Sequence, residues 1–312
     1  MRIDSMTYYT VSLVGIRDNQ NAIARLSQQI ATQSNYLAAK DNPLATQKIL
    51  DLGDRIATRA QYANNQTKAE ITLKYESVVL DEIESTLRRA RGLLAGISHN
   101  ADAVTRHTHA EQLRGAFQQL LDLANSRDPS GSYIFSGDRT TTKPFNNAGG
   151  GVPPAGAAST YNGSTNLREV EVESGRRVRV NDNLDTVMRA GAGAGTDLLQ
   201  TLDEAIVRLP LSAPPGAVPD QATLNGYIQT IDTALDSLAG IQYRVAGVRT
   251  ELADLMVTTN GLQTLEQNAL SDLQRVDQAA AIMRLQTRQT SLEAAQQAYA
   301  LTSGLSLFSF LG

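Results

Sequence analysis

Proline and glycine divide this chain into three. Eight of its nine prolines fall between Pro129 and Pro219, together with twelve of its 23 glycines, and the ninth proline is Pro43. Proline removes a helical donor and clashes with the preceding turn, and glycine weakens a helix interior. The two flanks are therefore free to run as long helices and the middle is not. Apolar spacing points the same way. Ile16, Ile23, Ile30 and Leu37 recur every seven residues, and Leu73, Leu80, Ile83, Leu87, Ala90, Leu94 and Ile97 follow at steps of three, four or seven. Leu252, Leu255, Leu262, Ala269, Leu273, Val276, Ala280 and Met283 keep that beat and continue through Thr287, Thr290, Ala294 and Leu301. Rows of this kind are coiled-coil seams. With no tryptophan and 5% aromatic residues, such helices bury narrow stripes better than broad faces.

Seam quality varies along the chain. Between Leu73 and Ile97 nearly every inward position is apolar, whereas the N-terminal row is interrupted by Asn19 and Gln33 and the C-terminal row fades to threonine and glutamine after Met283. Each large apolar side chain missing from a seam forgoes about 1.5–3 kcal/mol. The last helix nonetheless carries Ile282, Leu285, Leu292, Tyr299, Leu305, Leu307, Phe308, Phe310 and Leu311, spread around its circumference. A helix that is apolar on several faces and weakly paired within its own chain is suited to burial against other subunits. The candidate assembly seam is thus Ile16, Ile23, Ile30, Leu37, Leu285, Leu292, Tyr299, Leu301 and Phe308.

Pro43 lies in AAKDNPLATQKILDL, inside an otherwise continuous amphipathic pattern from Tyr8 to Ile97. A proline in mid-helix costs about 3 kcal/mol, and almost nothing at the first helical position. Asp41 or Asn42 can cap, and the residue before a proline is pushed out of the helical region. The segment Asp41, Asn42, Pro43 is read as a hinge, with a new face beginning at Leu44, Ile49 and Leu52. The middle contains a short strand at YIFSG, 133–137, and an alternating hairpin, REVEVESGRRVRV, 168–180. Facing Val172 with Val178 and Val170 with Val180 requires an odd-length loop around Ser174-Gly175, which disfavours a two-residue turn. A further helix follows, capped by Thr196 or Asp197, with Leu198, Leu202, Ile206 and Leu209 on one face.

Chemistry is poorly represented. The chain has no cysteine, which removes disulfides, thiolate metal sites and a cysteine nucleophile. Its net charge of −4 gives no electrostatic grip on nucleic acid or an anionic membrane. His107 and His109 lie about 200° apart on a helix and cannot share one metal ion there; a helix start near Thr105 or Thr108 suits them better. The glycines from Gly191 to Gly195 match neither GxGxxG nor a P-loop and suit a flexible joint. Arg88, Arg89 and Arg91 sit beside Asp81, Glu82 and Glu84 at helical spacing, as on a solvated or intersubunit face. Asn162-Gly163-Ser164 reads as a turn. No catalytic residue, metal or cofactor is assigned, and no enzyme activity is expected. No stretch approaches the roughly 18 apolar residues of a membrane span, and no Sec-type leader is recognisable.

Several segments in order, MRIDSMTYYTVSLVGIRDNQNAIARLSQQIATQ, AKDNPLATQKIL, LKYESVVLDEIESTLRRARGLL, NSRDPSGSYIFSGDRTTTKPF, YNGSTNLREVEVESGRRVRVN and SLEAAQQAYALTSGLSLFSFL, together resemble bacterial flagellin-like axial proteins. Residues 125–145, with their SG turn, are similar to the junction members of that family more than to filament flagellin. Ala39-Lys40-Asp41-Asn42-Pro43 stands where the family usually has a Ser-Asp-Asp-Pro-like stretch. The resemblance implies a mainly α protein, a long coiled-coil rod of paired N- and C-terminal arms with a small β-rich insertion. Residues 1–42 and 265–312 would be assembly-dependent inner helices, 43–130 and 196–264 the helical rod, and 131–195 the outer β-rich domain. It further implies a structural adaptor at the hook–filament junction, joining hook-associated protein 1 to flagellin in a ring of about eleven subunits. Export would use the flagellar type III apparatus, with an export chaperone on the C-terminal helix. Filament flagellin and a cytoplasmic or type III secreted scaffold are the alternatives.

Overall fold

The computed structural model describes residues 2–97, 101–146, 160–189, 197–210 and 219–311, with side chains from 10 to 301 within those segments. Seven α-helices and one hairpin follow in the order α1 (Arg2–Thr32), α2 (Pro43–Ala95), α3 (Ala103–Ala124), β1 (Glu169–Glu173), β2 (Arg176–Arg179), α4 (Asp185–Met188), α5 (Leu198–Arg208), α6 (Gln221–Gln274) and α7 (Gln278–Leu311). The fold is mainly α, as the arms predict. Its contacts divide it into two units, residues 1–59 with 261–312, and residues 60–260.

In the 60–260 unit the row Leu73, Leu80, Ile83, Leu87, Ala90, Leu94 and Ile97 is buried along its whole length. It meets Leu224, Ile231, Leu238 and Val245 of α6 and the α3 face of Leu113, Phe117 and Leu120 in one core. α3 begins at Ala103, a little ahead of Thr105 and Thr108, capped by Asp102, whose carboxylate accepts the Thr105 N–H at 2.8 Å; it packs against α5, and its buried face includes the alanines 110, 116 and 124. His107 and His109 lie on this helix, and among the described residues no group of three potential ligands is placed to hold a metal. α5 follows its sequence reading, with Asp197 capping the Gln200 N–H at 2.7 Å and Leu198, Leu202, Ile206 and Leu209 fully buried. The glycines 191–195 lie outside the described residues.

Two expectations for the middle fail. YIFSG forms no strand; Ile134 and Phe135 are buried, but the backbone turns, and Gly137 has φ +67° with the Ser164 carbonyl 2.2 Å from where a Cβ would stand. Only glycine fits there. The hairpin exists in another register, Val170 facing Val178 and Glu171 facing Arg177, with Glu173 and Arg176 flanking a two-residue Ser174-Gly175 turn, Gly175 at φ +73°. A bulge between Glu171 and Glu173 supplies the odd residue that the loop was expected to hold. It also frees the Val172 carbonyl, which accepts from Gln66 Nε2 at 2.8 Å, while Asn65 donates to the Glu171 carbonyl at 2.9 Å. The hairpin edge is thereby satisfied by amide side chains of α2 rather than by a third strand.

The hairpin's exit is tied to both long helices. Glu76 of α2, fully buried, accepts the Asp182 N–H at 2.9 Å, and the Asp182 carboxylate pairs with Arg244 of α6 at 3.1 Å. Asn181 beside it accepts the Arg168 N–H at 2.7 Å and donates to the Gly137 carbonyl at 2.9 Å. Burial, and then the nearby Asp182 charge, push the Glu76 carboxyl well above the usual range, against the Asp182 N–H, Arg244 and Arg168. Between the ordinary glutamate range and that raised value, folded protein holds a proton that unfolded protein has released. The contribution of this group is therefore complete in acid and is lost as pH rises through that interval. Glu76→Gln preserves the acceptor for Asp182 and removes the titration. Calorimetry should find the variant melting at or above the parent at about pH 8, with the difference closing towards about pH 5. Glu76→Leu orphans a buried N–H and should cost about 1–3 kcal/mol at either pH.

Candidate assembly interface

α1 and α7 pack side by side within the 1–59/261–312 unit. Their direction is antiparallel, since Ser34 bridges Arg275 and Arg288 Nη1 donates to Asn19 Oδ1 at 3.1 Å. This register brings Ile23 to the level of Leu285 and Ile16 to the level of Leu292. Ile16, Ile23 and Ile30 of α1 and Leu285, Leu292 and Tyr299 of α7 are all half-buried, and so is Leu37, which lies beyond the end of α1 in the segment before Pro43 and not on the helix. Leu301 is 71% exposed, and the Phe308 side chain lies outside the described set. The row Met283, Thr287, Thr290, Ala294 and Leu301 is turned outward; the inward positions of α7 are Ala281, Leu285, Leu292, Ala295 and Tyr299. Upstream the same row holds at Leu252 and Leu255 but fails at Leu262 and Ala269, which are exposed. A straight helix drifts against a strict seven-residue repeat, and a break in the C-terminal arm resets the phase.

That break is what the sequence reading missed. α6 ends at Gln274 and α7 restarts at Gln278, capped by Asp277, whose carboxylate accepts the Ala280 N–H at 3.0 Å. The N-terminal arm breaks opposite it, between Thr32 and Pro43. The two gaps are joined by backbone: Asn35 N–H donates to the Gln274 carbonyl at 2.7 Å and Val276 N–H to the Gln33 carbonyl at 3.3 Å. Gln33 closes α1 with φ 55°, a left-handed position that glycine normally takes. The only local signal for the C-terminal break was an aspartate, Asp277, two residues ahead of an alanine run, with no proline or glycine near it.

Around Pro43 the structure shows a break and not a kink. Asn42 Oδ1 accepts the Ala45 N–H at 3.1 Å, and α2 opens at Pro43 itself. Asp41 accepts the N–H groups of Leu37 and Ala38, each at 3.1 Å, and pairs with Arg25 of α1 at 2.9 Å. Its partial burial raises the carboxyl pKa, but those N–H groups and Arg25 together hold it below the usual range. Leu44 points outward; Ala45 is the buried residue at the start of α2. Beyond the joint, Arg55 and Arg59 of α2 both reach Glu266 of α6 at 2.7 Å.

The arginines near the far end of α2 are occupied within the chain: Arg88 pairs with Glu84, Arg89 donates to Gln119 and Arg91 pairs with Asp232. They form no free basic patch. The interface feature that stands out lies in α1 and α7. Of residues 10–32 none is fully buried, and of residues 278–301 only Ala281 is. Val11, Leu13, Val14, Ile282, Met283 and Leu301 are exposed on the same pair of helices. A two-helix pair leaves such positions wet unless something else covers them. Limited proteolysis of the purified monomer should therefore cut within residues 10–32 and 278–301 well before the α2–α3–α6 core, whose buried contacts hold it closed. Cleavage at equal rates along the chain would contradict this gradient.

No family model matches the chain. Two curated proteins do, each named flagellar hook-associated protein 3: that of Escherichia coli K12, 26% identical over 330 residues and covering 99% of both chains, and that of Salmonella typhimurium LT2, 26% identical over 327 residues with the same coverage. Among solved structures, a flagellar hook-associated protein from Vibrio parahaemolyticus superposes with a TM-score of 0.66 at 21% identity, over 75% of this chain and 100% of its own. The flagellar junction protein FlgL from Legionella pneumophila gives 0.58 at 19% identity, over 73% of this chain and 99% of its own.

Proposed function

We propose that this chain, similar from end to end to flagellar hook-associated protein 3, is a structural component of the bacterial flagellum, a junction protein and not an enzyme. The observation that carries the reading is the α1/α7 pair, which keeps its seam only half-buried and leaves a second set of apolar residues in water. Covering them in an axial assembly would recover about 1.5–3 kcal/mol for each large side chain. On this reading residues 1–42 and 265–312 form the inner layer, 43–130 and 196–264 the surrounding helical layer, and 131–195 the outer part. The partners are hook-associated protein 1 on the hook side, flagellin on the filament side, and other copies of this chain in a ring of about eleven. Export runs through the flagellar type III system, with a chaperone shielding the α7 end before assembly.

The test is genetic and biochemical. Ile23→Asp places a charge in the half-buried seam while leaving residues 60–260 untouched. Motility of a deletion strain carrying it should fall to that of the deletion, although circular dichroism shows the helical core intact; full complementation would overturn the seam assignment. Immunogold labelling of sheared flagella should mark one end in a few copies. Label along the whole filament would replace the junction assignment with filament flagellin, and absence from flagella would favour a cytoplasmic scaffold.

A further inference from the structure

The 60–260 unit carries two outward faces that fit each other. On α2, Ile71, Tyr75 and Val78 stand on the side opposite the buried row, 44–62% exposed, and Ile71 and Val78 are seven residues, about 10.5 Å, apart. On α6, Tyr243 is 79% exposed and is bracketed by Gly240 and Gly247, also seven residues apart, where an added Cβ would meet nothing within 4 Å. One face is a ridge of bulky apolar groups; the other is an aromatic ring between two bare stretches of helix. Within one chain they point in different directions, because each is turned away from the core that the two helices share.

α2 and α6 run antiparallel, as the pairs Glu70 with Arg249, Asp81 with Gln242 and Arg91 with Asp232 show. These pairs also place the two faces within about one helical turn of the same level. A second copy set alongside in the same orientation would therefore present its α6 antiparallel to the first copy's α2. Ile71 then meets the hollow at Gly247, Val78 the hollow at Gly240, and Tyr75 lies against Tyr243. Lys68 of α2 and Asp254 of α6 stand four residues, about 6 Å, out of level across this contact, within the reach of a lysine side chain. Knobs and hollows agree in one register.

We propose that the α2 ridge at Ile71, Tyr75 and Val78 docks on the α6 face at Gly240, Tyr243 and Gly247 of a second copy of this chain. The inference rests on the reading that the chain assembles with itself. The contact is head-to-tail, since each copy offers a different face to each neighbour, and it repeats around a ring or helix instead of closing as a two-fold dimer.

The absence of native cysteine makes this directly testable. Val78→Cys and Gly240→Cys both fall on exposed helix faces with room for a side chain. Flagella sheared from cells producing the double variant should, on oxidation, yield a ladder of covalent oligomers of this chain on a non-reducing gel. Either single variant alone should stay monomeric, and the two co-produced should stop at dimers. Val104→Cys, exposed on α3, is the control and should not cross-link. Cross-linking by a single variant with itself would indicate a two-fold contact and overturn the head-to-tail geometry. Double-variant protein that is present in flagella but monomeric overturns the proposed contact and leaves the junction assignment standing. Absence of even the unaltered chain from flagella removes both.

Discussion

Two helices lying side by side shield one stripe on each and no more. The pair α1 and α7 lives under that constraint: its large seam residues Ile16, Ile23, Leu285 and Leu292 reach only half-burial. The 60–260 unit escapes it because α3, α5 and the hairpin close around the same α2 and α6 helices. Leu80, Ile83 and Leu87, chemically no different from the isoleucines of α1, are there withdrawn from water entirely. The division between a part that completes its own core and a part that does not is therefore set by the number of neighbours, with side-chain type secondary.

Polar groups do the joining where apolar area runs out. The hairpin is too short to stand alone, and four polar points tie it down: the α2 amides at its bulge, the Asn181 clamp to Gly137 and Arg168, the chain of Glu76, Asp182 and Arg244, and the Arg176 pair with Glu251 of α6. Buried groups of this sort specify one arrangement because any other leaves them unpaired. Asn125 acts similarly in the loop region, accepting the Phe145 N–H at 2.9 Å and donating to the Phe145 carbonyl at 3.0 Å, beside the Phe145 and Tyr161 rings.

Local signals in the sequence were dependable where a single residue type decides the outcome. Pro43 announced a helix start, Asp197 a cap, and the Leu73 to Ile97 row a buried stripe, because each rests on nearest-neighbour sterics or on strict periodicity. The hairpin register was not legible, since a bulge at Val172 shifts the pairing, and the Gln66 side chain that meets the carbonyl it frees is 106 residues away in sequence. The inward face of α7 was misjudged for a related reason. Asp277 restarts the helix and resets the phase, and an aspartate alone does not declare that. The ridge on α2 was overlooked because Ile71, Tyr75 and Val78 interleave with the core row and look like part of it until their direction is known.

The cap at Asn42 has a consequence for how disorder spreads. A continuous helix transmits fraying from its end turn by turn, because each residue's bond depends on the turn before it. α2 receives its first donors' acceptor from its own Asn42 and needs nothing from α1 to begin. α1 can melt to its last residue without unwinding a single turn of α2. The joint works as a firebreak, so a chain whose first helix is still waiting for a partner keeps an unbroken start to the helix that carries its core.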